Sequence, residues 1–233
     1  MEYKYARNDN YEDFASGRVL YHRGGEPTFP VRLTLEIYDR CLSYSTKKTK
    51  ISLYDCCCGG AYMLTVLGFF KSDSLSELYG SDIDAKSLQL AEDNLGLLSE
   101  TGMKRRKGEL AALYQEYGKT SHEEALVSLE RLEKCLTKDI KTKVFLRNAF
   151  EAYDLPLTPD LIITDVPYGN MAEWANSNED INEMMNALYK NCGPETILCI
   201  CMDKKQKILT DLFHRLEKQL IGKRKFEIYK KIV

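Results

Sequence analysis

The sequence predicts an α/β fold: a mostly parallel sheet covered by helices on both faces, with a helical insertion and an antiparallel hairpin at its C-terminal end. Three observations predict it. Apolar runs of strand length alternate with segments of helical period. Four of those runs end in a carboxylate or carboxamide, as strands do when their carboxyl ends face a ligand. The 233 residues, 44% of them apolar, suffice for one sizeable core, so 1–233 is read as a single domain.

Residues 1–50 form a helical extension. Pro30 opens a helix there, since proline suits a first turn, and Val31, Leu35, Tyr38 and Leu42 make its apolar stripe. Strands are expected from Ile51 to Asp55, Glu77 to Asp82, Val144 to Asn148, Leu161 to Asp165 and Thr196 to Met202. Between them lie helices near Gly60 to Phe70, Ala85 to Ser99 and Glu179 to Asn191; Leu88, Ala91, Leu95 and Leu98 mark one face of the second. Residues 101–143 interrupt the alternation with a charged helical pair. In it Ser121 and Glu124 form a capping box, and Ala125, Leu129, Leu132 and Leu136 a stripe. The closing LEKQLIGKRKFEIYKKI breaks at Gly222 between two β-rich runs, which predicts the hairpin.

No run is long enough for a membrane span, and the amino terminus lacks a signal-peptide pattern, so the expectation is a soluble, cytoplasmic monomer. None of the eight cysteines makes a C-x-x-C pair, which favours a reducing compartment and no metal site. Cys199 and Cys201 alternate within an apolar run, and Cys41 and Cys135 fall on helical stripes, so packing is their expected role. A net charge of −2 gives no hint of a nucleic-acid partner, yet basic clusters stand out. These are Lys104-Arg105-Arg106-Lys107, Lys138 to Lys143, Lys204-Lys205 with Lys207, Lys223-Arg224-Lys225 and Lys230-Lys231. They would meet phosphates if the fold gathers them on one side, and are otherwise solvated surface.

Chemistry is expected at the strand ends. After Asp55, Cys56-Cys57-Cys58-Gly59-Gly60 turns the chain sharply through residues small enough for a ligand to approach the backbone. Three adjacent sulfurs cannot wrap a tetrahedral metal, so the cysteines read as compact filler, with a metal or redox role the weaker alternative. The G-x-G-x-x-G signature is missing, which disfavours a nicotinamide enzyme. Asp82 is placed to accept ribose hydroxyls, and Asp84 either faces the same ligand or caps the next helix. Asn148 would bond an adenine edge with Phe150 against the ring, or serve only as a turn residue. The LIITDVPYG stretch is the sharpest motif. Pro167 leaves carbonyls unpaired, Asp165 adds an acceptor and Tyr168 a flat ring, a set that suits a planar nitrogenous substrate.

Taken together, DCCCGG, SDID, RNAF and DVPYG resemble the successive motifs of class I S-adenosylmethionine-dependent methyltransferases that methylate nitrogen. SGRVLYHRGGEPTFPVRLTLEIYDRCL, LYDCCCGGAYMLTVLGFF, AEDNLGLLS and DLIITDVPYG, with Trp174 shortly after, are similar to the avilamycin-resistance ribosomal RNA methyltransferases. The likeness implies a Rossmann-like fold with a seven-stranded sheet, S-adenosylmethionine as cofactor, and a guanine, at ring N1, of large-subunit (23S) rRNA as substrate. Resistance to orthosomycin antibiotics would follow.

It also implies roles. Asp55, Cys57, Cys58, Gly59, Gly60, Asp82, Asp84, Asn148 and Phe150 would hold the cofactor. Asp165, Pro167 and Tyr168 would be catalytic, and Tyr168, Gly169, Trp174, Arg105 and Arg106 would meet the RNA. The loop from His22 to Pro30 would close over the cofactor through Phe29 and Pro30, with Arg32 reaching a carboxylate or phosphate. Two alternatives stay open: the same chemistry on an exocyclic amine of another base or on a protein glutamine, and a catalytically silent RNA-binding protein of ribosome assembly.

Overall fold

A computed structural model describes residues 1–15, 17–24, 28–152, 155, 158–166 and 178–232, with only the backbone at 178–180. The expected motif residues Pro167, Tyr168, Gly169 and Trp174 lie outside the described residues.

Among the described residues seven strands form one sheet in the order β3-β2-β1-β4-β5-β7-β6. β1 (Ile51–Asp55), β2 (Leu75–Asp82), β3 (Lys141–Leu146), β4 (Leu161–Asp165) and β5 (Ile197–Asp203) run parallel. β6 (Phe213–Ile221) and β7 (Arg224–Lys231) are the expected hairpin, turning at Gly222 with φ 58°, and β7 joins β5 antiparallel. β1 and β4 coincide with the sequence reading. Each is buried over its first four residues, apolar but for one small hydroxyl residue (Ser52 or Thr164), and is stopped by an aspartate, because a central strand is covered on both faces.

Successive residues of these strands enter opposite cores. Leu53, Leu161, Ile163, Ile197 and Cys199 join one cluster, with residues of α1 (Val31–Tyr44), α2 (Tyr62–Phe70) and α3 (Ala85–Gly96). Tyr54, Ile162, Leu198 and Ile200 join the other, against Ile181, Met184, Met185 and Leu188 of α6 (Asn178–Tyr189). The period of two thus distributes one sheet between two helical layers.

Several boundaries differ from the sequence reading: β2 starts at Leu75 rather than Glu77, β5 is Ile197–Asp203 rather than Thr196 to Met202, and α3 stops at Gly96 rather than Ser99. β3 is Lys141–Leu146, not Val144 to Asn148. It is an edge strand, where charged side chains are tolerated, so Lys141 and Lys143 pair in the ladder opposite Glu77 and Tyr79 while their charge hides the strand from an apolar count. The Ser121–Glu124 capping box does not form. α4 (Glu100–Tyr117) closes on Gly118, φ 60°, and α5 (Thr120–Glu133) begins at once from Lys119, so Ser121 is already inside the helix and Glu124 instead pairs with Arg18 at 2.7 Å. Cys135 also departs from expectation: it follows α5 and is exposed.

The inserted hairpin α4–α5 organises the amino-terminal segment. Asp13 accepts from Arg131 of α5, and Val19 O accepts from Nε of the buried Arg106 at 2.8 Å. The Arg106 guanidinium lies 4.3 Å from the centre of the Tyr21 ring. Farther back, the buried Glu36 carboxylate accepts the N–H groups of Lys4, Tyr5 and Ala6, each at 2.8 Å, and pairs with the buried Arg40. A buried carboxylate needs such partners to offset its desolvation. The segment is therefore held at these points against the helices.

Candidate active site

Strand register builds the site. Asp55, the last residue of β1, lies opposite Gly80, so Asp82 stands two residues beyond it on β2. Leu53 lies opposite Leu161, so Asp165 stands two residues beyond Asp55's level on β4. The short central strand and its longer neighbours leave a notch about 7 Å deep, flanked by two carboxylates, where strand order reverses direction.

The chain after Asp55 fills the floor of that notch. Cys58 N–H donates to Ser81 O at 2.9 Å, Gly59 adopts φ 49°, and Ala61 at φ 55° starts α2 from a left-handed conformation. Gly80 makes room for this turn, since a Cβ there would come within 2.9 Å of Cys58 Sγ. Asp82 secures it from the side: its Oδ2 accepts Gly59 N–H at 2.8 Å and its Oδ1 accepts Asp84 N–H at 3.0 Å. Asp55 secures it from below. Its Oδ1 accepts Thr164 Oγ1–H at 2.7 Å and Cys57 N–H at 3.0 Å.

The result is a cleft of about 470 Å³. Of the residues singled out in the sequence it is lined by Asp55, Cys57, Cys58, Gly59, Gly60, Asp82, Asp84 and Asp165, and by Phe29 from the amino-terminal loop. Tyr21, His22, Arg23, Tyr62, Asn94 and Arg224 complete much of the wall. Burial pushes the Asp55 carboxyl up to about 7, against the hydrogen bond from Thr164. Burial likewise raises Asp165 to about 7, opposed by the charge of Arg224. Asp165 Oδ1 is buried with no hydrogen-bond partner among the described residues.

Of the eight cysteines, six are buried, Cys57 is half-buried and Cys135 is exposed. All eight are free thiols, and no group of three or more candidate metal ligands occurs among the described residues. The neighbouring Cys56 sulfur and burial hold the Cys57 thiol well above its ordinary range, and burial does the same for Cys58, so neither is a ready thiolate.

Other expected residues are placed elsewhere. Asn148 follows the end of β3, and its Oδ1 accepts Phe150 N–H at 3.1 Å, a turn contact; neither residue is in the described lining of the cleft. Asp84 caps α3, accepting Lys86 N–H and Ser87 Oγ–H at 3.0 Å, while still lining the cleft. Arg106 is buried rather than presented at the surface, because it anchors the amino-terminal segment. Arg105 is exposed but pairs with Asp93 at 3.1 Å. Arg32 donates to Ala6 O at 3.2 Å.

Asn94 was hidden in the sequence among the apolar residues of α3. It is buried, donating to Gly60 O at 2.8 Å and Tyr21 O at 3.1 Å and accepting Tyr21 N–H at 2.8 Å, so one side chain fixes both the glycine turn and the segment facing it. A polar residue on an apolar stripe was the available signal.

A parallel sheet with this strand order, closed by an antiparallel hairpin and bearing an acid-flanked glycine turn at the switch point, defines the class I S-adenosylmethionine-dependent methyltransferase fold. The family model described as rRNA methyltransferase AviRa matches residues 1–224. The chain belongs to the AviRa family of rRNA methyltransferases. It is 34% identical over 222 residues to the 23S rRNA (guanine(2535)-N(1))-methyltransferase of Streptomyces viridochromogenes, covering 91% of this chain and 88% of the relative. The solved structure of rRNA methyltransferase AviRa from that organism superposes with a TM-score of 0.91 at 29% identity, over 99% of this chain and 96% of the other. TrmN from Thermus thermophilus shares the fold, with a TM-score of 0.56 at 11% identity, over 90% of this chain and 51% of its own. No described helix is long and apolar enough to cross a membrane.

Proposed function

We propose that the chain transfers a methyl group from S-adenosylmethionine to ring N1 of a guanine in 23S rRNA, acting as a cytoplasmic monomer. The observation that carries the reading is Asp165: a carboxylate in the cleft wall, at the end of β4, with a buried oxygen that lacks a partner among the described residues. Family membership and the relative's printed activity support the choice of substrate.

The cleft residues fit the cofactor. A volume of about 470 Å³ lies within the ordinary range for enclosed small-molecule sites. Asp55 would meet the amino group, the Cys57 to Gly60 turn would lie along the methionine portion, and Asp82 would accept the ribose hydroxyls. Bound there, S-adenosylmethionine supplies a methyl carbon on a positively charged sulfur.

Asp165 then acts on the guanine. In the transfer, the Asp165 carboxylate, which must be ionised to do so, would accept the proton that N1 gives up as it takes the methyl group. A carboxyl raised to about 7 by burial is matched to that exchange near neutral pH. Tyr168, with Trp174 and Gly169, would stack and seat the extruded base, and the carbonyls around Pro167 would grip its N–H groups. Positioning and exclusion of water would supply much of the acceleration. Raised tolerance to orthosomycin antibiotics would be the cellular consequence.

Incubating the purified chain with labelled S-adenosylmethionine and unmodified 23S rRNA, then mapping the modified nucleotide by mass, tests the reading. Label at a guanine N1 is expected. Label on an exocyclic amine or on protein would redirect it, and RNA binding without label would favour the silent binder.

A further inference from the structure

The five basic clusters of the sequence are not equivalent once folded. On α4, Arg105 pairs with Asp93, Arg106 is buried against Glu109, and Lys107 pairs with Glu130 at 3.3 Å. On β3, Lys141 pairs with Glu77 at 3.0 Å; on β7, Lys225 pairs with Glu227 at 2.7 Å and Lys230 with Glu195 at 3.0 Å. Like Lys104 of α4, three lysines near the end of the chain differ: Lys204, Lys205 and Lys223. All three are exposed, and none has an ion-pair partner among the described residues.

The backbone forces these lysines together. Lys204 N–H donates to Lys223 O at 3.0 Å, locking the end of β5 to the β6–β7 turn. The carboxylate beside them, Asp203 at the end of β5, accepts Lys205 N–H at 2.8 Å. Three lysines beside one carboxylate leave an excess of positive charge, which an external anion would offset.

Their position selects the anion. Cys201 of β5 lies opposite Asp165 in the sheet, so the lysines begin three residues farther along the neighbouring strand, on the order of 10 Å from the cleft acid. Arg224, beside Lys223, lines the cleft itself. By contrast, the exposed Lys138 precedes β3 at the amino end of the sheet, and Lys143 lies midway along it.

We propose that Lys204, Lys205 and Lys223 form the phosphate-binding surface that holds the substrate RNA while its target base reaches Asp165; this rests on the rRNA reading above. Each phosphate neutralised releases condensed counterions, so the lysines carry a share of the salt dependence of binding.

The test compares K204A/K205A/K223A with K107A/K141A/K230A, which removes the same charge from paired lysines. Both are assayed for binding an unmodified 23S rRNA transcript across a salt series, and for methyl transfer to it. The rim variant should bind at least about tenfold more weakly, with the slope of log affinity against log salt reduced by about 2 to 3. Its KM for RNA should rise. The control should match wild type, and the rise in melting temperature with S-adenosylhomocysteine should be the same in all three, which separates RNA binding from folding. Wild-type affinity and slope in the rim variant, or equal loss in the control, would overturn the proposal alone. A wild-type chain that binds S-adenosylhomocysteine but methylates no rRNA would overturn the functional reading and this proposal with it.

Discussion

The Asp82 carboxylate accepts the Gly59 N–H at 2.8 Å, so the end of β2 holds the turn that follows β1. Its other oxygen holds Asp84 N–H, and the carboxylate lines the cleft. Asp82→Ala orphans two partly buried backbone donors, at a cost of about 1–3 kcal/mol each where water cannot replace the acceptor. The melting temperature should fall by several degrees, and the stabilisation by S-adenosylhomocysteine should disappear. Asp82→Asn should recover part of the stability and little of the ligand response.

Asp55 and Asp165 make both stability and binding depend on pH. Each carboxyl is raised from its ordinary 3.8 to about 7 by burial. The fold therefore binds protons more tightly than the unfolded chain between about pH 4 and 7. These groups favour folding most below that window, and their contribution falls as pH rises through it. Asp165→Asn should accordingly melt above wild type at pH 8, with the difference shrinking toward pH 4.5, and it should lack methyl transfer. Binding of S-adenosylhomocysteine, whose ammonium favours ionised Asp55, should tighten as pH approaches 7 and release protons, measurable by calorimetry in buffers of different ionisation enthalpy.

Gly80 and Cys58 are coupled by contact. A Cβ at Gly80 would meet Cys58 Sγ at 2.9 Å, Cys58 Cβ at 3.2 Å and Leu64 Cδ1 at 3.3 Å. Gly80→Ala should cost about 1–3 kcal/mol and weaken ligand binding by displacing the turn. Adding Cys58→Ala should restore part of the stability, and a thermal double-mutant cycle would show the coupling. Full activity of Cys58→Ala alone is also expected, since the sulfur fills space.

Ala61 starts α2 at φ 55°, where a Cβ is unfavourable by about 1–2 kcal/mol. Glycine removes that strain but loosens the unfolded chain by somewhat less. Ala61→Gly should leave the melting temperature equal or slightly raised, as calorimetry would record.

Legibility in the sequence followed the range of the interactions. β1 and β4 could be read to the residue because burial on both faces makes a run interrupted only by Ser52 or Thr164, and an aspartate ends it. Gly222 marked the hairpin because a positive φ there needs it. The acids Asp55, Asp82 and Asp165 were visible as strand ends, and register explains why they converge. What stayed hidden depends on distant neighbours. Lysines masked edge strand β3, while the partners of Asn94 and Thr164 lie far along the chain, at Tyr21 and Asp55. The same holds for the lysine clusters, whose pairing differs only through tertiary contacts.

A crystal structure of the chain with S-adenosylhomocysteine tests the central claim most directly. The account predicts the amino group at Asp55, the ribose hydroxyls on Asp82 and the sulfur turned toward Asp165. Density for the ligand elsewhere, or a sulfur facing away from Asp165 across the occupied cleft, would contradict it.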